Sequence, residues 1–182
     1  MKLILVGCGP MAIEYAKVLN AQNQDFITIG NTQKGALNYE NEINEKVILG
    51  GLELWLKNNS NLDFNHHKVI ITVNENLLGT ISRLVLKYGF KDILVEKPGG
   101  LDIDDIINLN SEALVNKANV YIGYNRRFFS STLKVIELIE HDGGITSFNF
   151  EFTEWGHIIK NLSQRKEILN EWFIQNSSHV ID

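Results

Sequence analysis

The chain has 182 residues, and 17 Lys and Arg against 22 Asp and Glu give it a formal net charge of -5. With 44% hydrophobic residues it has the composition of a soluble globular protein, which excludes disordered and fibrous classes. No basic run is longer than Arg126-Arg127. Nucleic acid is therefore excluded as an expected partner, because binding its phosphates requires clustered positive charge.

The cysteine content and the apolar pattern indicate in which cellular compartment the protein is found. The single cysteine, Cys8, cannot form an internal disulfide, and no Cys/His set has metal-ligand spacing. No apolar stretch approaches the ~20 residues of a membrane span. We therefore predict a cytoplasmic protein with no metal site and no membrane partner.

Short apolar runs alternate with longer amphipathic segments over the first two thirds of the chain. This alternation is typical of a doubly wound parallel sheet whose strands are joined by crossover helices. Strands are predicted at residues 3–6, 26–29, 47–49, 69–73, 93–95 and 120–124. Helices are predicted at residues 11–19, 52–56, 77–88 and 103–114.

The pattern changes after Tyr124. A helix is predicted over residues 132–140, and then Phe148, Phe150 and Phe152 alternate with polar residues, which predicts an antiparallel strand with one covered face. We place a domain boundary after residue 125, so that residues 126–182 begin a second α/β domain with an antiparallel or mixed sheet. Because a domain has roughly 150 residues, we expect that second domain to be incomplete.

A glycine-rich segment, GCGPMA at residues 7–12, joins the first predicted strand to the first helix. It matches the G-x-G-x-x-G/A fingerprint of dinucleotide-binding folds, in which the glycines allow a tight turn and close approach of a pyrophosphate to a helix N-terminus. The fingerprint predicts cofactor contacts at Gly7, Gly9, Pro10, Met11 and Ala12.

The second strand ends in GNTQK at residues 30–34, without the carboxylate that usually binds the ribose 2′-OH of NAD. Asn31, Thr32 and Lys34 are suited to a 2′-phosphate, which favours NADP. A polar surface turn that is indifferent to the ribose is the alternative. The predicted cofactor is therefore NADP or NAD.

The tripeptide EKP at residues 96–98 follows the fifth strand, at the edge where open α/β sheets bind ligands. A lysine there can donate or accept a proton beside a cofactor, although an isolated EKP is also an ordinary strand exit.

Four segments together resemble the Gfo/Idh/MocA oxidoreductases: the glycine loop, LVEKPGG at 94–100, GYNRRF at 123–128 and NSSHVID at 176–182. The resemblance covers essentially the whole chain. It implies a Rossmann NAD(P)-binding domain at residues 1–125, followed by a substrate and oligomerisation domain. It also implies that Lys97 and His179 are catalytic, and that Val73, Asn74, Glu96 and Lys97 contact the cofactor.

Three features depart from the family pattern. Gln175 stands where many dehydrogenase members have an Asp four residues before the histidine, and Val73-Asn74-Glu75 replaces a common Thr-Pro-Asn. Members of the family are also much longer, so we interpret the chain as C-terminally truncated.

The predicted function is NAD(P)-dependent oxidation or reduction of a hydroxyl or ketone on a sugar, cyclitol or nucleotide-sugar, by a homo-oligomer. The shortened chain is expected to be inactive alone. The alternative is a non-catalytic NAD(P)-binding regulatory or redox-sensing module, which Gln175 and the incomplete second domain favour.

Overall fold

The computed structural model describes residues 2–182, which form two compact units. The first unit ends at Gly123, and the second comprises Tyr124–Asp182.

A six-stranded sheet with only parallel pairings forms the centre of the first unit, in the order β3-β2-β1-β4-β5-β6. The predicted α/β parallel sheet is confirmed, and so is each of its six strands. β4 and β6 end at Ile71 and Ile122, earlier than predicted, because the chain turns into loops there. The strands are β1 (Leu3–Val6), β2 (Phe26–Gly30), β3 (Val47–Leu49), β4 (Lys68–Ile71), β5 (Asp92–Val95) and β6 (Asn119–Ile122).

β1 shows why the strands appear as continuous apolar runs. Successive side chains of a strand point to opposite faces, so Ile4 and Val6 enter one hydrophobic cluster while Leu5 enters the other. All three are buried. The sheet therefore has a packed layer on each face, as expected of strands covered on both sides by crossover helices.

Helices connect the strands and make up the regular structure of the second unit. In the first unit these are α1 (Pro10–Ala21), α2 (Gln33–Ile43), α3 (Gly51–Asn58), α4 (Glu75–Lys87) and α5 (Ile103–Asn116). In the second they are α6 (Ser130–His141), α7 (Gly156–Ile159), α8 (Lys166–Asn170) and α9 (Ser178–Ile181).

α2 is the helix of the first unit that the sequence did not predict, and in the second unit α7, α8 and α9 were not predicted either. α2 buries only Ala36 and Tyr39, so its apolar periodicity is weak. Tyr39 compensates through a buried hydrogen bond of 2.8 Å between its hydroxyl and that of Thr28 on β2.

The predicted antiparallel strand at residues 148–152 is wrong. The described residues of the second unit contain no strand, and Phe148 and Phe150 are 79% and 51% exposed. A strand needs a neighbour to pair its N–H and C=O groups. No such neighbour lies within residues 124–182, so the phenylalanine alternation does not produce sheet structure here.

The contact of α4 with α5 gives a test of the packing. A Cβ on Gly79 would lie 2.6 Å from Cγ of Asp105, whose carboxylate accepts from the Leu101 N–H and from Arg83. Gly79→Ala should therefore lower the free energy of unfolding by about 1–3 kcal/mol through overpacking. We expect this loss to outweigh the higher helix propensity of alanine. Urea denaturation measures the change.

Ser82→Ala, one turn further along α4, is the matched control. The Ser82 hydroxyl is buried with no hydrogen-bond partner in the described part of the chain. Its removal should be neutral or stabilising. A stabilising Gly79→Ala would contradict the close helix contact.

Candidate functional site

A cavity of about 480 Å³ lies at the carboxyl edge of the sheet, where the loops after β1, β2, β3 and β4 meet. β1 stands between β2 and β4, so chain order reverses at this point. Open α/β sheets bind ligands at such switch points. Six of the predicted cofactor residues line the cavity: Gly7, Gly9, Asn31, Thr32, Val73 and Asn74.

Gly7 is required by the backbone. Its φ is +120°, and a Cβ there would lie 2.7 Å from the Thr72 carbonyl oxygen. Thr72 cannot move away easily, because its N–H and its hydroxyl both donate to the Val6 carbonyl, at 2.8 and 3.0 Å. The first fingerprint glycine therefore sets the turn at the end of β1.

Gly9 has a different role from Gly7. Its φ of -87° suits any residue, and a Cβ there would meet nothing within 4 Å. It lines the cavity as the N-cap of α1, which has no side-chain cap, and Pro10 begins the helix. Packing within the chain does not require a glycine here. The open backbone fits a ligand that approaches it closely.

The N-terminal, partially positive ends of four helices lie at the cavity. The N-cap residues Gly9, Thr32, Gly50 and Asn74, which precede α1, α2, α3 and α4, all line it. Only Thr32 caps its helix with a side chain, by accepting from the Gly35 N–H at 3.3 Å. Free N–H groups and aligned helix dipoles favour an anion at these ends.

Further glycines shape the cavity wall, and the sequence analysis missed their role. A Cβ on Gly30 or on Gly35 would lie 2.7 or 2.8 Å from the Cys8 sulfur. The buried Cys8 thiol, which belongs to the glycine loop, therefore packs against the bare Cα atoms of Gly30 and Gly35. Gly50 and Gly51, both at positive φ, form the turn before α3. The sequence feature that could have identified this turn is the Gly50-Gly51 pair directly after the predicted strand at residues 47–49.

The remaining predicted cofactor residues do not line this cavity. Lys34 lies in the first turn of α2 and is exposed. Ala12 is fully buried, and its small side chain allows α1 to pack on the sheet. The six residues outside the lining are Pro10, Met11, Ala12, Lys34, Glu96 and Lys97.

Glu96 pairs with Tyr15 of α1. The Tyr15 hydroxyl donates to the carboxylate at 2.8 Å. Burial raises the pKa of both groups above their ordinary values. A Cβ on Gly123 would lie 3.0 Å from Glu96 Oε1 and 3.1 Å from the Tyr15 hydroxyl. Three segments, α1 and the ends of β5 and β6, thus converge on one half-buried carboxylate.

The second predicted catalytic residue lies in the second unit. His179 is in α9, and its ring centroid is 5.9 Å from that of Tyr124. The Tyr124 hydroxyl donates to Ser178 Oγ at 3.0 Å, and Ser178 Oγ donates to the Ile174 carbonyl at 2.6 Å. Lys97 belongs to the first unit.

A metal centre and a membrane-spanning helix are two further features that residues 2–182 do not show. No group of three or more His, Cys, Asp or Glu side chains is arranged to hold a metal ion within these residues. None of their helices combines the length and the apolarity needed to cross a bilayer.

No protein-family model matches the chain, and no curated protein matches it. Solved structures do match in fold. The WlbA dehydrogenase of Chromobacterium violaceum, in complex with NADH and UDP-GlcNAcA, has a TM-score of 0.64 at 17% identity, over 78% of this chain and 40% of its own.

Two further structures give similar values. GenD2 from gentamicin A biosynthesis, in complex with NAD, has a TM-score of 0.66 at 19% identity, over 81% of this chain and 41% of its own. Biliverdin reductase of Synechocystis sp. PCC 6803, in complex with biliverdin and NADP+, has a TM-score of 0.60 at 17% identity, over 75% of this chain and 42% of its own. The chain therefore spans about two fifths of the length of these structures. At these identities the likeness establishes a Rossmann-like fold shared with dehydrogenases.

The Glu96 carboxyl gives a pH prediction. Because its pKa is raised in the folded chain, the folded state retains this proton to higher pH than the unfolded state. The contribution of Glu96 to the free energy of unfolding therefore falls as pH rises from about 4 through the raised pKa. The unfolding free energy of the wild type minus that of Glu96→Gln should fall between pH 4 and 7. Urea titrations across this range measure it, and a difference that rises with pH would contradict the burial of the carboxylate.

Proposed function

We propose that the chain is the dinucleotide-binding part of an NAD(P)-dependent oxidoreductase that acts on a hydroxyl or ketone of a sugar, cyclitol or nucleotide-sugar. The observation that carries this proposal is the cavity at the switch point, where Gly9 presents an open backbone at an uncapped helix N-terminus. A pyrophosphate needs both features.

The residues present fit such a cofactor. The loop at Gly7 and Gly9 would hold the pyrophosphate, because α1 begins there and the space beside Gly9 is open. Asn31 and Thr32 would face the adenosine ribose, since they line the cavity at the end of β2. NAD(P), when bound, supplies hydride transfer. The chain itself would supply positioning and, through Lys97 and His179, proton transfer.

Lys97 and His179 are proposed to handle the alcohol proton. Lys97 directly follows Glu96 at the carboxyl edge of the sheet, and Glu96 is held by Tyr15, so the backbone that carries the lysine is anchored. His179 would act from the second unit, which we propose belongs to a substrate and oligomerisation domain. The nucleotide-sugar in the WlbA structure supports this substrate class. We also propose a cytoplasmic homo-oligomer.

The cofactor proposal is tested by Gly9→Val. The valine side chain would meet no protein atom at its Cβ, so the free energy of unfolding should fall by no more than about 1 kcal/mol, the usual loss when a poor N-cap residue replaces a good one. It would occupy the space that the pyrophosphate needs, so the Kd for NAD or NADP should rise by at least about tenfold, roughly 1.4 kcal/mol. Isothermal titration calorimetry measures the Kd.

Gly156→Val is the matched control, because Gly156 is equally open but lies outside the cavity lining. It should leave the Kd unchanged. If the wild-type chain binds neither dinucleotide, the proposed function is wrong.

The catalytic proposal is tested by Lys97→Met, which keeps the aliphatic stem and removes the amine. In assays of cofactor reduction by the full-length gene product, with a panel of sugars and nucleotide-sugars, kcat should fall by about 10²–10⁴ while dinucleotide affinity is retained. Normal turnover by this variant would make Lys97 an ordinary strand-exit residue. Dinucleotide binding by the full-length gene product without turnover of any substrate would instead favour the regulatory module.

A further inference from the structure

We propose that Glu53, on α3, supplies the carboxylate that discriminates against a 2′-phosphate, so that this cavity prefers NAD over NADP. The inference rests on the proposed dinucleotide function. Dinucleotide-binding folds usually have the selective carboxylate at the end of β2, where this chain has Asn31. The inference assigns that role to a residue of α3 instead.

The start of α3 lies directly against that residue. A Cβ on Gly51 would be 3.1 Å from Asn31 Oδ1. Gly50 and Gly51 have φ values of +109° and +78°, a backbone conformation that other residues rarely adopt. This turn brings α3 to the end of β2. Glu53, in the first turn of α3, therefore lines the same cavity as Asn31 and Thr32.

Glu53 also decides the charge of the cavity wall. Among the described residues that line the cavity, it is the only charged one, and Lys34, the cation that the sequence assigned to a phosphate, is not in the lining. The Lys57 ammonium, 2.8 Å from Glu53 Oε1, holds the pKa of the carboxyl below its usual value. The group is therefore ionised at neutral pH. Lys57 itself does not line the cavity.

An ionised carboxylate at this wall affects the two dinucleotides differently. It can accept a hydrogen bond from a ribose hydroxyl, whereas it repels a 2′-phosphate, which carries up to two negative charges. Glu53 and Lys57 are 65% and 61% exposed, so water and salt screen the repulsion. Lys57 offsets part of this repulsion, so the wild-type preference is smaller than the effect of removing the carboxylate charge. Across a distance of several ångströms near a surface, that removal corresponds to about fivefold to tenfold in the ratio of affinities.

The test compares the Kd values of NAD and NADP for the wild type and for Glu53→Gln, by calorimetry at low salt. We expect the wild type to bind NAD more tightly. The ratio of the NADP Kd to the NAD Kd should fall by about fivefold to tenfold in the variant, mainly through tighter NADP binding. Added salt should reduce the wild-type ratio.

Glu14→Gln is the matched control. Glu14 forms the same kind of exposed ion pair, with Lys17 at 2.8 Å, but it does not line the cavity. Any effect of its charge on the pyrophosphate is common to both dinucleotides, so the ratio should not change. If both dinucleotides bind and Glu53→Gln leaves their ratio unchanged, the inference is overturned while the proposed function stands. If neither binds, the proposed function itself fails.

Discussion

The close approach of Gly7 to Thr72 is the constraint on which the cavity depends. The Gly7 N–H donates to the Ile29 carbonyl at 2.9 Å, and the Thr72 N–H donates to the Val6 carbonyl at 2.8 Å. β1 is thereby held to both neighbours up to its last residue. The chain then leaves the sheet at positive φ, with the Thr72 backbone where a side chain would otherwise be. This turn determines where α1 begins, and hence where its free N–H groups lie.

The cavity combines two opposing electrostatic features. The N-terminal ends of four helices favour an anion, while its one charged lining residue within the described chain is the carboxylate of Glu53. The helix ends follow from the fold, because in a parallel sheet every crossover helix starts at the carboxyl edge. Glu53 follows from the Gly50-Gly51 turn. The first feature suits any dinucleotide, and the second is the one that we propose distinguishes between dinucleotides by their ribose.

The Tyr15–Glu96 pair connects the two halves of the sheet. Tyr15 lies on α1 and Glu96 follows β5, beyond β4 from the glycine loop. Burial of a carboxylate is unfavourable unless it is hydrogen-bonded. The Tyr15 hydroxyl supplies that bond, and the bare Cα of Gly123 leaves the space for it. The sequence motif had predicted that Glu96 contacts the cofactor, whereas in the structure its carboxylate accepts from Tyr15.

The sequence by itself determined the parallel sheet, since residues such as Ile4, Leu5 and Val6 can be buried on both faces only beneath helices on both sides. It also identified the glycine loop, because the fingerprint spacing directly follows a predicted strand. It could not identify α2, whose stability depends on the contact of Tyr39 with Thr28. It also misjudged the phenylalanine alternation, since a strand forms only where another strand pairs with it.

Only the tertiary structure decided which charges face the cavity. Lys34 is close to Asn31 along the chain, yet it turns away on α2, whereas Glu53, on a different crossover helix, lines the wall. The tertiary structure likewise paired Glu96 with Tyr15, which is 81 residues away along the chain. Local patterns describe neighbours within one element. Contacts between elements depend on the strand order and on the few positions, such as Gly51 and Gly123, where two segments approach closely.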